Sequence, residues 1–145
     1  MLIHYVRGGN AYLPELAAYA DFLQGLGHQA QIHQDSASVP GDAAVVWWLC
    51  GRVPRHAARR FAHAFQVHEY ASASVPPWAW LKDRAKRASQ PQPQYRLFQN
   101  AWVRARLGFA DGVPTNSATW ASLRRFSLPK AHRARQNSKI GRAHV

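Results

Sequence analysis

The sequence has few of the features that indicate export or a membrane span. Cys50 is the only cysteine, so no intramolecular disulfide can form and a secreted disulfide scaffold is excluded. The N-terminus lacks a charged segment followed by a long apolar core, and no apolar run reaches about 18 residues. We therefore expect a cytoplasmic protein without a signal peptide or a transmembrane helix.

Acidic residues are absent from the last part of the chain. All seven Asp and Glu lie within residues 1–114 beside twelve Lys or Arg, whereas residues 115–145 hold seven Lys or Arg and no acid. The formal charge of +12 would suggest nucleic acid or an anionic membrane as a partner. More than half of that charge comes from the last segment, so we expect no nucleic-acid ligand for residues 1–114.

The end of the chain also differs in kind from what precedes it. Residues 140–145, Ile-Gly-Arg-Ala-His-Val, are what a widely used sequencing adapter would encode. Residues 115–122, back-translated and read one base earlier, give a helix-like segment of balanced charge. Our hypothesis is that the reading frame slips near Pro114 and then runs into adapter. Residues 1–114 are then the N-terminal piece of a longer protein, and residues 115–145 are an irregular tail that forms no domain. The alternative is that the whole chain is a nonfunctional translation product.

Residues 1–114 alternate between strand and helix patterns. Apolar or alternating runs that stop at turn residues predict strands at residues 2–7, 28–33, 43–50 and 95–99, and a further strand leading from Phe61 to Val67. Apolar residues at spacings of three and four predict a helix at residues 13–26. Segments that lie between turn residues predict further helices at residues 55–60, 78–88 and 101–107. The continuous apolar run of residues 43–50 is typical of a strand covered on both faces. We predict an α/β fold, a Rossmann-like parallel sheet flanked by helices.

A glycine pair follows the first strand, at the edge where open parallel sheets bind ligands. The backbone amides of Gly8, Gly9 and Asn10 could hold a phosphate or a sugar hydroxyl at this position. Plain turn geometry is the alternative, because glycine is common in turns. The segment is not a dinucleotide fingerprint, since the later glycines of that motif are missing.

A histidine and a carboxylate are adjacent where the fourth strand ends. His68 could accept a proton from a hydroxyl or bind a sugar, because the pKa of histidine lies near neutrality. The alternative is a partly buried histidine that caps a loop. Neighbouring strand residues point to opposite faces, so His68 and Glu69 cannot both face one cleft. We take His68 as the candidate catalytic residue and Glu69 as a candidate substrate-binding residue.

Four segments together resemble the N-terminal lobe of bacterial group 1 glycosyltransferases of the GT-B fold. They are residues 2–10, 43–50, 67–72 and 107–114. The resemblance implies two Rossmann-like lobes that face a cleft. The nucleotide-sugar donor is held mainly by the second lobe, and the acceptor glycan or lipid-linked acceptor mainly by the first. It also implies that Gly8 and Gly9 approach the donor phosphates or the acceptor, that His68 lines the cleft, and that no metal or other cofactor is bound. The chain would then be the acceptor-side lobe, inactive alone.

A second hypothesis uses the basic residues. The segment from Trp78 to Arg87 joins two tryptophans to four Lys or Arg and could lie on an anionic membrane surface, peripheral at the inner membrane, near a lipid-linked acceptor. A solvated basic helix with two packing tryptophans is the alternative. With the arginine-rich tail, this segment would make the chain a small module that binds nucleic acid or an anionic membrane. The histidines are scattered, and His28 and His33 form no recognised zinc pattern.

Overall fold

The computed structural model describes residues 1–8, 13 and 15–117, which form one parallel sheet flanked by helices. The strands are β1 (Leu2–Arg7), β2 (Gln29–His33), β3 (Val45–Leu49), β4 (Phe65–Tyr70), β5 (Tyr95–Phe98) and β6 (Thr115–Ser117). The helices are α1 (Glu15–Gly25), α2 (Arg55–Arg60), α3 (Ala79–Ser89) and α4 (Ala101–Leu107). The strand order is β2-β1-β3-β4-β5-β6, and every neighbouring pair is parallel. The predicted Rossmann-like α/β fold is confirmed.

The helix ends follow from local chemistry. Leu16, Tyr19 and Leu23 recur at helical spacing and are the buried residues of α1. The α4 helix begins where the Asn100 side chain accepts a hydrogen bond from the Val103 backbone N–H over 2.9 Å. It ends at Gly108, whose φ of 54° lies in the left-handed region that glycine adopts most easily. Both helices therefore run close to the residues that the sequence predicted.

The sheet continues beyond the boundary that we expected at Pro114. Thr115–Ser117 forms the edge strand β6, paired with β5, and the Arg96 backbone N–H donates to the Pro114 carbonyl over 2.9 Å. We expected irregular chain from residue 115. The first three residues instead complete the hydrogen bonds that the edge of β5 would leave open. Residues 118–145, including the adapter-like end, lie outside the described residues.

The two faces of the sheet carry separate parts of the core. On one face, α1 packs on a buried cluster from β1, β3, β4 and β5 that includes Tyr5 and Trp47. On the other face, α2 packs on Trp48 and its neighbours, and α4 packs on Tyr70 and Phe98. Trp47 and Trp48 are both almost fully buried, one on each face, as predicted for a strand covered on both sides. No helix among the described residues is long and apolar enough to cross a bilayer.

Candidate functional site

The topology places a crevice between β1 and β3. The β1 strand lies between β2 and β3. After β1 the chain adds β2 along one edge of β1, and it then crosses back to add β3 along the other edge. In open parallel sheets, ligands bind outside the carboxyl ends of strands at such a switch point. The residues that follow β1 and β3 here are Gly8 and Cys50. This edge is therefore where a ligand site is expected.

The loops after β1 and β3 touch closely at Gly8. Its backbone N–H donates to the Leu49 carbonyl over 3.4 Å. A Cβ atom added to Gly8 would lie only 2.9 Å from the Cβ of Cys50, closer than such atoms approach in proteins. Glycine at residue 8 is thus explained by loop packing at the crevice. Gly9 and Asn10, the other two residues predicted here, lie outside the described residues.

A small cavity of about 70 Å³ lies at this edge of the sheet. It is lined by Leu13, Leu49, Cys50, Gly51, Glu69, Ala71 and Ser72. Pockets for drug-sized ligands take about 300 Å³ or more, so this cavity suits one polar group of a larger ligand. The structure therefore brings Glu69 together with the residues that follow β3, including Cys50, the residue packed against Gly8.

Glu69 is a buried carboxyl group with two defined partners. It is 6% exposed. Its oxygens accept hydrogen bonds from the Trp47 indole N–H over 2.8 Å and from the Tyr19 hydroxyl over 3.0 Å. Burial raises the pKa of Glu69 to about 7, although these two hydrogen bonds favour the ionised form. Near neutral pH the group populates both protonation states, which is the condition that general acid–base chemistry requires.

A purely structural role for Glu69 is the alternative. Its two partners belong to α1 and β3, so the carboxylate also ties the helix to the sheet. A buried hydrogen-bonded carboxyl of this kind needs no ligand to explain it. The cavity is what separates the two interpretations, because Glu69 forms part of its wall.

His68 lies on the opposite face of the sheet. It is 1% exposed, and its ring meets the rings of Trp48 and Tyr70 edge-on, with centroids 6.4 Å away in each case. Neither ring nitrogen has a hydrogen-bond partner among the described residues. Burial, and then the charge of Arg96, lowers the pKa of His68 to about 3. The ring is therefore neutral at pH 7, and it is not among the residues that line the cavity beside Glu69.

An ion pair beside His68 was not predicted from the sequence. Arg96, in β5, is 1% exposed and makes a bidentate contact with Asp111, whose Oδ2 lies 2.7 Å from Nη2. Its guanidinium also lies 4.0 Å from the ring centroid of Phe109. The hydrogen bond from Arg96 lowers the pKa of Asp111. Nothing in the sequence pairs a strand arginine with this loop aspartate, because the pairing depends on how the loop returns to the sheet.

A groove lined by arginines is a second feature that sequence reasoning missed. Two adjoining depressions, of about 550 and 930 Å³, share Arg55 and Arg59. Arg87 lines the first depression, and Arg52 and His56 line the second. The Arg55 guanidinium donates to the carbonyls of Ser89 and Ala88 over 3.2 and 3.4 Å, which holds α2 against the end of α3. A concave basic surface of this kind attracts anions.

The Cys50 thiol is not activated as a nucleophile by its surroundings. Burial raises the pKa of the Cys50 thiol to about 11, so it is protonated and a poor nucleophile at neutral pH. The described residues contain no group of three or more His, Cys, Asp or Glu side chains placed to hold a metal ion. Comparison of the chain with protein family models, curated proteins and solved structures found no match.

Proposed function

We propose that this chain is the acceptor-side lobe of a group 1 glycosyltransferase of the GT-B fold. The intact parent would transfer a sugar from a nucleotide-sugar donor to the hydroxyl of an acceptor glycan or lipid-linked acceptor. One observation carries most of the support: a carboxyl with a pKa of about 7 lines a cavity at the β1–β3 switch point, beside loops packed closely at Gly8. The family assignment itself rests on the resemblance of the sequence segments, and the fold alone is shared by many activities.

In this proposal Glu69 contacts the acceptor. Its ionised form accepts a hydrogen bond from an acceptor hydroxyl, and at neutral pH it can also take up the proton. The hydrogen bonds from Trp47 and Tyr19 hold the carboxylate in place. His68 is enclosed on the other face, so Glu69 is the residue that we would test first.

The test is made on the uninterrupted gene. We expect it to continue past residue 117 into a second Rossmann-like lobe and to encode an enzyme that releases nucleotide from one of a panel of nucleotide sugars. Glu69→Gln should lower turnover at least about tenfold, since positioned acid–base groups commonly contribute that much or more. His68→Gln is the matched comparison on the same strand, and we expect a smaller effect. A gene without a second lobe, or no release from any donor, would contradict the proposal.

A second candidate function is binding of nucleic acid. The observation that favours it is the arginine groove, which lies within residues 52–111 and not in the basic tail. Binding through phosphates would fall steeply with salt, because counterions are released. Arg55→Gln with Arg59→Gln should weaken binding of a mixed-sequence duplex if this function is correct. Equal affinity of the variant and the parent chain would exclude the groove as the site.

A further inference from the structure

The N-terminal end of α3 carries an exposed apolar patch, here called the aromatic patch. Its members and their exposed fractions are Val75 (71%), Trp78 (66%), Trp80 (58%), Leu81 (48%) and Trp102 (65%). Tryptophan is rarely left so open on a soluble surface, where its large ring is usually packed. The alternative of two packing tryptophans in this segment is wrong, because neither Trp78 nor Trp80 is covered.

Trp102 joins the patch although it lies on another helix. The α3 and α4 helices lie side by side, since Arg106 Nε donates to Asp83 Oδ2 over 3.1 Å. They run in the same direction, because Arg87 also reaches the carbonyls at the C-terminal end of α4. Residues one turn apart share a helix face. Trp102 lies one turn before Arg106 on α4, and Trp80 lies one turn before Arg84 on α3. The two tryptophans therefore lie toward the same end of the helix pair.

Cations surround the patch with almost no opposing charge. A depression of about 240 Å³ between the helices is lined by Trp80, Asp83, Arg84, Arg87 and Arg106. Its only acid is Asp83, which is 4% exposed and accepts hydrogen bonds from the Ser74 backbone N–H and from Arg106. The α3 and α4 helices together carry six Lys or Arg, and Asp83 is their single acid. The surface next to the tryptophans is therefore strongly positive.

The backbone at Trp78 supports a role for the exposed ring. Its φ of 63° lies in the left-handed region, which is uncommon for a bulky residue and costs on the order of 1 kcal/mol or more. Glycine would fit that conformation better. An exposed tryptophan held in an unfavourable conformation contributes little to the core, so its ring is available for a partner.

We propose that the aromatic patch docks this protein onto an anionic lipid bilayer. Tryptophans favour the interface between headgroups and acyl chains, and Lys and Arg beside them are attracted to anionic headgroups. The depression beside Trp80 presents Arg84 and Arg87 to a lipid phosphate at the rim of the apolar contact, while Arg106 pairs with Asp83. Membrane docking is independent of the proposed sugar transfer, since it uses α3 and α4 and none of the residues around Glu69.

The experiment is vesicle binding by the full chain. Trp120, which lies outside the described residues, is replaced with Phe in every protein, so that every tryptophan left is either buried or in the patch. Vesicles of phosphatidylcholine with an equal part of phosphatidylglycerol are compared with vesicles of phosphatidylcholine alone. The test variant is Trp78→Ala/Trp80→Ala/Trp102→Ala. The matched control is Leu26→Ala/Ile32→Ala, which removes apolar side chains that are also exposed, by 55% and 47%.

We expect the parent chain to bind the anionic vesicles. Its affinity for neutral vesicles should be at least about tenfold lower, and so should the affinity of the triple variant for anionic vesicles. The control should bind like the parent chain. Brominated acyl chains should quench the patch tryptophans, while buried Trp47 and Trp48 remain unquenched. The basic tail is present in every protein, so equal binding by the triple variant would assign vesicle binding to the tail and overturn the proposal. Failure to bind any vesicle would also overturn it, and the patch would then be a surface for a protein or nucleic acid.

Discussion

The indole N–H of Trp47 donates a hydrogen bond of 2.8 Å to Glu69, on the face of the sheet opposite His68. Glu69 and His68 are consecutive residues of β4, and folding shifts their pKa values in opposite directions. Burial favours the neutral form of each, which is the protonated state for Glu69 and the unprotonated state for His68. Their environments lead to separate predictions.

Glu69 should make the protein less stable as pH rises from 5 to 8. Its pKa is raised from 4.5 to about 7 on folding. Between these values the unfolded chain loses the proton while the folded protein keeps it, so the free energy of unfolding falls with pH. Glu69→Gln should remove roughly 2 kcal/mol of this fall, measured by urea unfolding at both pH values. An identical pH dependence in the variant and the wild type would show that Glu69 is not buried in the protonated form.

His68 should make the protein less stable as pH falls from 7 to 5. Its pKa is lowered from 6.5 to about 3 on folding. As pH falls below 6.5, the unfolded chain takes up a proton that the folded protein does not, so stability is lost. His68→Leu should lessen the loss between pH 7 and pH 5 by roughly 1–2 kcal/mol. His63→Gln removes an exposed histidine and should unfold like the wild type, and a loss unchanged by His68→Leu would refute this prediction.

The pair of Arg96 and Asp111 should be sensitive to removal of one partner. Asp111→Asn leaves a guanidinium that is 1% exposed without its counter-ion, which should cost about 3 kcal/mol of unfolding free energy. Arg96→Met together with Asp111→Asn should recover part of that loss, because no buried charge remains. Asp21→Asn, on the exposed side of α1, is the control and should change stability by less than about 0.5 kcal/mol. If Asp111→Asn behaved like this control, the pair would not be a buried one in solution.

Gly8 should not tolerate a side chain while Cys50 is present. The Cβ of Gly8→Ala would lie 2.9 Å from that of Cys50, so the two loops must move apart. This movement should lower the free energy of unfolding by about 1–3 kcal/mol. With Cys50→Gly the nearest remaining Cys50 atom is Cα at 3.7 Å, an ordinary contact, and the double variant should show favourable coupling. Gly41→Ala meets no atom within 4 Å and is the matched control. Additive effects of the Gly8 and Cys50 substitutions in thermal unfolding would disprove the close contact.

Most elements could be predicted because their residues carry a strong local pattern. The bounds of α2 and α4 fall at the predicted residues, and β1 does as well. The β4 strand runs from Phe65 to Tyr70, later than the predicted Phe61 to Val67. The β6 strand was missed, because its Thr-Asn-Ser sequence has no apolar alternation. It becomes a strand only because β5 presents an open edge beside it.

The candidate site was only partly predictable. Strand alternation alone placed His68 and Glu69 on opposite faces, and that prediction is confirmed. Which of the two would line a cavity depended on Leu13 and Ser72, which lie far from each other in the chain. The tryptophans of the aromatic patch were visible in the sequence, but their exposure and the contribution of Trp102 were not.

The sequence by itself determined most of the strands and helices, though not β6, and that the sheet is parallel and covered on both faces, because these properties follow from the period and composition of short segments. Only the tertiary structure decided the chemistry. A carboxyl with a pKa of about 7 and an imidazole with a pKa of about 3 arise from adjacent residues because desolvation depends on the side chains packed around each group. Those side chains, Tyr19 and Trp47 around one and Trp48 and Arg96 around the other, are brought together only by folding.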